Sequence, residues 1–156
     1  MNKSLLTAGL LLAMCLFHNA QAADVSITTS LNTFRGDGAY LAIYLTDASG
    51  KYNRTLWVAG SKSKYYKHLL DWSRGGGNKA AEYDGVTGAS VLSGDSLTVH
   101  AVIDDALIDA GYLIRVDSAV EDQREHRIDA EIALTRQGAG NSVQGRGYVK
   151  TLSYSL

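Results

Sequence analysis

Tyr40-Leu41-Ala42-Ile43-Tyr44-Leu45-Thr46 is the stretch that decides the fold. Leu41, Ile43 and Leu45 alternate with Tyr40, Ala42 and Tyr44, which is the two-residue period of a strand. Both sets are apolar. A strand covered on both faces belongs in the interior of a sheet, so something must pack on each side of it. Asp47-Ala48-Ser49-Gly50 has hairpin-turn composition, and Thr55 to Ala59 returns as the partner strand. Upstream, Asp24 to Leu31 reads as a strand with Val25, Ile27 and Leu31 on one face, and Arg35-Gly36-Asp37-Gly38 reads as a turn. The Arg-Gly-Asp tripeptide there is coincidence rather than an adhesion signal. The sequon Asn53-Arg54-Thr55 reads as unmodified surface.

Downstream the period changes. Tyr65, Tyr66, Leu69, Leu70 and Trp72 recur at helical spacing, which predicts one amphipathic helix over Lys62 to Trp72, ended by Gly75-Gly76-Gly77. Strands resume at Ser96 to Ile103, Gly111 to Val120, Ile128 to Leu134 and Tyr148 to Leu156, with a flexible loop over Asn141 to Gly147. Ile128, Ala130, Ile132 and Leu134 are expected inward, and Asp129 and Glu131 outward. The whole is a mainly β chain: an antiparallel immunoglobulin-like β-sandwich of about seven strands with one inserted amphipathic helix.

The chain has 156 residues, 46% of them hydrophobic, with 16 glycines and no proline, so glycine must supply most of the turns. Lys3, the apolar run Leu5 to Phe17 and the small-x-small site Ala20-Gln21-Ala22 read as a secretory signal peptide over residues 1–22, with residues 23–156 as one domain. Cys15 is read as part of this leader rather than as a lipid anchor. It is the only cysteine, so the mature chain is expected to form no disulfide and no thiolate centre. No other apolar run is long enough to span a bilayer, and no membrane insertion is expected after cleavage. The chain carries 15 basic and 16 acidic residues, a net charge of −1, and becomes one charge more negative once Lys3 is removed. With no basic patch, nucleic acid is not an expected partner. The leader points to a periplasm.

One run looks specific rather than generic: Asp84-Gly85-Val86-Thr87-Gly88-Ala89-Ser90. Small residues around a glycine let a partner approach closely and leave the last hydroxyl uncrowded. The same composition also suits a plain turn between strands, with Asp84 accepting hydrogen bonds from the turn backbone. Enzyme and metal chemistry have weaker support. His68, His100 and His126 stand in no ligand spacing. No nucleophile elbow is present. Asp104, Asp105 and Asp109 read as a solvated acidic loop.

Four segments in this order resemble the domain of unknown function 2271 family of predicted periplasmic proteins. They are Ala39 to Lys51, Arg54-Thr55-Leu56, Lys64 to Trp72, and Asp84 to Ser90, followed by Gly94 and Gly111-Tyr112. Val91 stands where the family often has arginine, and a family Trp-Asp-Gly stretch is missing near His100 to Asp105. The resemblance implies a sandwich fold and a genetic association with PepSY-type membrane reductases and flavin transferases. It also implies an acceptor motif, Asp84, Thr87, Gly88, Ala89 and Ser90, in which Ser90 would carry FMN through a phosphodiester; Ser93 fits the common pattern too. Two functions follow as expectations. One is an exported, non-catalytic binding or accessory module linked to a periplasmic redox system. The other is a covalently flavinylated electron carrier, with Tyr65, Tyr66, Trp72 and Tyr83 as ring contacts.

Overall fold

The computed structural model describes residues 21–156. The leader expected over residues 1–22 falls almost wholly outside them. Nine strands form two sheets: β1 (Ala22–Leu31), β2 (Tyr40–Thr46), β3 (Tyr52–Ala59), β4 (Thr87–Gly88), β5 (Ser96–Asp104), β6 (Leu113–Ala119), β7 (His126–Ala133), β8 (Ser142–Gln144) and β9 (Val149–Ser155). One sheet has the order β5-β1-β9-β8, the other β4-β3-β2-β6-β7. Named strand pairs are antiparallel except β3 with β4. The count exceeds seven because β4 and β8 are edge strands of two and three residues, too short to show a period in sequence.

The two sheets share one core. Val25 and Ile27 of β1, Val99 of β5 and Leu152 of β9 meet Leu41, Ile43 and Leu45 of β2 and Ile114 and Val116 of β6. The opposite face of β2 is also covered, as its two apolar faces require. Ala42 and Tyr44 join Val58, Tyr66, Leu69, Trp72 and Ala119 in a second cluster outside the five-stranded sheet. The covering layer is the β3–β4 connection.

That connection is not one helix. A 3₁₀ segment (Ser63–His68) ends at Leu69, whose φ of −85° and ψ of 81° break the helix. A single turn follows at Leu70–Trp72, then a wide turn at Ser73–Gly77 and another short helix at Ala80–Tyr83. The reason lies beneath it. Tyr66 donates to the Gly60 carbonyl at 2.7 Å and the Trp72 indole to Thr55 Oγ1 at 2.9 Å, so the sheet rather than a helical ladder sets both positions.

A second expectation fails at Asp129, which is fully buried rather than outward. The β6–β7 register shifts between Val116 and Ser118, and Ile128 has φ +45°. The bulge slips the inward–outward alternation, so Asp129 enters the interior while Ile128 leaves it. Its carboxylate accepts from the Ser118 hydroxyl and from the backbone N–H groups of Arg146, Gly147 and Val149 at 2.6–2.9 Å. Asp129 thereby ties β7 of one sheet to the start of β9 in the other.

The loop expected over Asn141 to Gly147 contains β8. The sequon lies in β3, with Thr55 buried. The Asp47 turn forms as read: its Oδ1 accepts from the Ser49 and Lys51 N–H groups, and Gly50 takes φ +83°.

Candidate functional site

The Asp84–Ser90 run links the helical cover to the sheet edge. The Ala80–Tyr83 helix ends with Asp84 N–H donating to the Ala80 carbonyl at 2.8 Å. Gly85 then takes φ +79°, a conformation that side chains resist. Thr87 and Gly88 pair in parallel with Val58 and Ala59 as β4. Gly88 is required by packing: a Cβ there would lie 2.7 Å from the Trp57 ring. Three residues on, Val91 bridges Ala39 by a pair of backbone hydrogen bonds of 2.7 and 3.0 Å.

That bridge decides which way Ser90 faces. Val91 and Ala39 both point into the inter-sheet core. Alternation therefore turns their neighbours Ser90, Gly38 and Tyr40 to the outer face. Gly38 confirms the juxtaposition, since a Cβ on it would lie 2.6 Å from Ser90 Oγ. Ser90 is half-buried, and Asp84, Thr87 and Ala89 are exposed. Among the described residues the side chains of Asp84, Thr87 and Ser90 take part in no hydrogen bond. The turn-bracing role considered for Asp84 is thus not what the carboxylate does here. Ser93 is different. Its hydroxyl accepts from Phe34 N–H at 2.7 Å and donates to the Phe34 carbonyl at 2.8 Å, which makes it a turn lock.

A cleft of about 190 Å³ opens at the same end of the five-stranded sheet, lined by Tyr40, Tyr65, His68, Val120, Gln123 and Glu125 among others. The Tyr40 and Tyr65 rings meet edge to face, 5.7 Å apart. Tyr65 donates to Glu121 Oε1 at 2.7 Å, and His68 Nδ1 lies 2.8 Å from Glu125 Oε1. That contact holds the Glu125 carboxyl below the usual range. The loop leading to Gly38 is tied to the cleft wall, where Gln123 donates to the Arg35 carbonyl. The β6–β7 loop that supplies Glu121 to Glu125 has no strand or helix period, and only its run of charge marks it in sequence.

Of the aromatic residues expected at a cofactor ring, Tyr66 and Trp72 are buried in the second cluster and are unavailable. Burial also raises the Tyr66 hydroxyl above its ordinary pKa. Tyr83 is half-buried with its ring 5.1 Å from that of Tyr66. Tyr65 alone of the four lines the cleft.

The cover is pinned from below by Asp117 of β6, which has no exposed surface. Its Oδ2 accepts from the N–H groups of Asp71 and Trp72 at 2.7 and 2.9 Å. Its Oδ1 accepts from Ile128 N–H at 2.9 Å and the Tyr44 hydroxyl at 3.1 Å. Burial pushes the carboxyl up, against the Trp72 and Ile128 N–H groups that pull it down. The other acids and histidines are scattered. Asp105 and Asp109 both face Arg136, and Asp104 caps the short helix at Asp105–Leu107. His100 is exposed, and His126 packs on Tyr148. No group of three metal-ligating side chains occurs among the described residues, and no helix among them is long and apolar enough to cross a membrane.

Residues 22–151 match a family model described as predicted periplasmic protein (DUF2271). No curated protein and no solved structure matches the chain.

Proposed function

Starting from a chain that belongs to the DUF2271 family of predicted periplasmic proteins, we propose that it is an exported electron carrier bearing FMN on Ser90. The observation that carries the reading is the state of the motif's polar groups. Buried or turn-forming hydroxyls and carboxylates are normally committed to hydrogen bonds, as Ser93 and Asp47 are in this chain. Asp84, Thr87 and Ser90 are uncommitted: Asp84 caps the end of the short helix, and Thr87 and Ser90 lie on the outer side of the sheet edge. That arrangement suits an enzyme that must reach the hydroxyl.

The transfer balances as a phosphoryl substitution. Ser90 Oγ attacks the FMN-side phosphorus of a flavin dinucleotide held by a flavin transferase. The new P–O bond to Ser90 replaces the anhydride bond, AMP departs with the bridging oxygen, and the hydroxyl proton passes to a base of the transferase. Asp84 and Thr87 are recognition residues for that enzyme, and Gly88 and Ala89 complete the small-residue motif that it reads. A PepSY-type membrane reductase is the electron donor that the family resemblance suggests. Covalent attachment suits an exported carrier, from which a dissociable cofactor would diffuse away.

The test is the intact mass of the chain co-expressed with a flavin transferase. A gain of one FMN less one water, absent from Ser90→Ala, supports the reading; an unmodified chain beside a modified control substrate refutes it. The rival reading is an exported binding module without a cofactor. It is favoured by the half-burial of Ser90 and by the tyrosine-lined cleft, and it predicts the unmodified chain.

A further inference from the structure

We infer that the cleft between the Tyr40–Tyr65 pair and the Val120–Glu125 segment is the seat of the isoalloxazine ring carried by Ser90, an inference that rests on the flavin reading above. Three observations on the molecule converge.

The first is size. Sites that hold a free small molecule enclose about 300–1,000 Å³. The cleft has about 190 Å³, room for a flat ring system but not for a whole cofactor. A ligand held there needs a second anchor, and a covalent tether is one.

The second is placement. Ser90 and Tyr40 share the outer face, joined through Gly38, which Ser90 overlies. Gly38 to Tyr40 is two residues of extended chain, about 7 Å. The loop on the other side closes the same gap, because a Cβ on Gly36 would touch Gln123 and Val120 of the cleft wall. A ribityl-phosphate arm fixed at Ser90 therefore begins beside the cleft.

The third is chemistry. One wall is a pair of tyrosine rings set edge to face, a surface on which a flat π-system packs. The cleft's Glu121 and Glu125 are already bound to Tyr65 and His68, and Lys64 Nζ stands 4.7 Å from the Tyr65 ring centroid. Two of the three acids of the lining are thus occupied, Asp122 being the third, and no group of three metal-ligating side chains occurs among the described residues.

The experiment uses the flavinylated full chain and reads flavin fluorescence, which a stacked tyrosine quenches by electron donation. Tyr65→Leu is compared with Tyr65→Trp, which keeps an electron-rich ring, and with Tyr112→Leu at the opposite end of β6. In Tyr65→Leu the docked-to-free ratio of the ring is expected to fall about two- to tenfold, the equivalent of one aromatic pair contact. Fluorescence rises accordingly, while Tyr65→Trp and Tyr112→Leu stay quenched and all variants carry the FMN mass. If FMN is attached but Tyr65→Leu and Tyr40→Leu are as quenched as the parent, the seat is refuted and the attachment stands. If the parent carries no FMN, the attachment fails and the seat with it.

Discussion

Asp117→Asn tests whether the helical cover is held by a buried acceptor. Four donors converge on this carboxylate: two N–H groups on Oδ2, and one N–H and one hydroxyl on Oδ1. Asparagine keeps one oxygen. Its cheaper orientation leaves that oxygen on the Asp71 and Trp72 N–H groups and turns the amide NH₂ toward Tyr44 and Ile128. The Tyr44 hydroxyl rotates to accept, but the Ile128 N–H loses its partner. A buried donor left unsatisfied costs about 1–3 kcal/mol, and the three remaining bonds lose their charge assistance. Relief of the buried charge offsets part of this. The expected net loss is about 1–3 kcal/mol, while Asp117→Ala, which strands all four donors, costs about 4 kcal/mol. Urea unfolding by Trp fluorescence measures both. For a domain of this size each kcal/mol lowers Tm by about 4 °C. An Asn variant as stable as the parent, or more stable, would refute the argument, because Asp117 would then be a mere burial penalty.

The same residue gives a pH dependence. Burial raises its folded-state pKa above the ordinary 3.8, so the folded chain holds this proton to higher pH than the unfolded chain does. The contribution is full below pH 3.8 and declines as pH rises through the raised value; the stability difference between parent and Asp117→Asn should show that slope across mildly acidic pH. Asp47 has the opposite sign: the Ser49 hydroxyl and the Lys51 N–H lower its pKa, so its contribution is present above 3.8 and vanishes as pH falls through the lowered value. Carboxyl NMR titration of Asp47 checks the direction. Gly38→Val places side-chain atoms against Ser90 Oγ and should abolish FMN attachment in a chain whose circular dichroism is unchanged. Modification at the parental rate would show that Ser90 is reached from another side. Asp129→Ala strands the N–H groups of Arg146, Gly147 and Val149 and should cost about 3–5 kcal/mol. Hydrogen exchange should then accelerate first in β8 and the start of β9.

What could be read from the residues was local. β2 shows its two covered faces directly, because seven residues of alternation are enough to show both. The turn character of the Asp84–Ser90 run is legible for the same reason: Gly85 acts within the run and Gly88 against an adjacent strand. Ser90's direction was not legible. It depends on the bridge from Val91 to Ala39, a pairing 52 residues apart that no local period encodes. Asp129 was misplaced because a bulge turns Ile128 out and Asp129 in, while Ala130, Ile132 and Leu134 beyond it keep the inward positions that the alternation gives them. The Lys62–Trp72 helix was misread because aromatic residues anchored to separate points of a sheet can mimic helical spacing. The cleft is assembled from β2, the cover and the β6–β7 loop, and no single segment announces it.

The central claim is that Ser90 is an acceptor hydroxyl, and peptide mapping by tandem mass spectrometry of the chain co-expressed with a flavin transferase tests it most directly. The account predicts FMN, less one water, on the Asp84–Ser90 peptide at Ser90, and none in Ser90→Ala. An unmodified Ser90 beside a fully modified control substrate, or FMN on Thr87 or Ser93 instead, would contradict it.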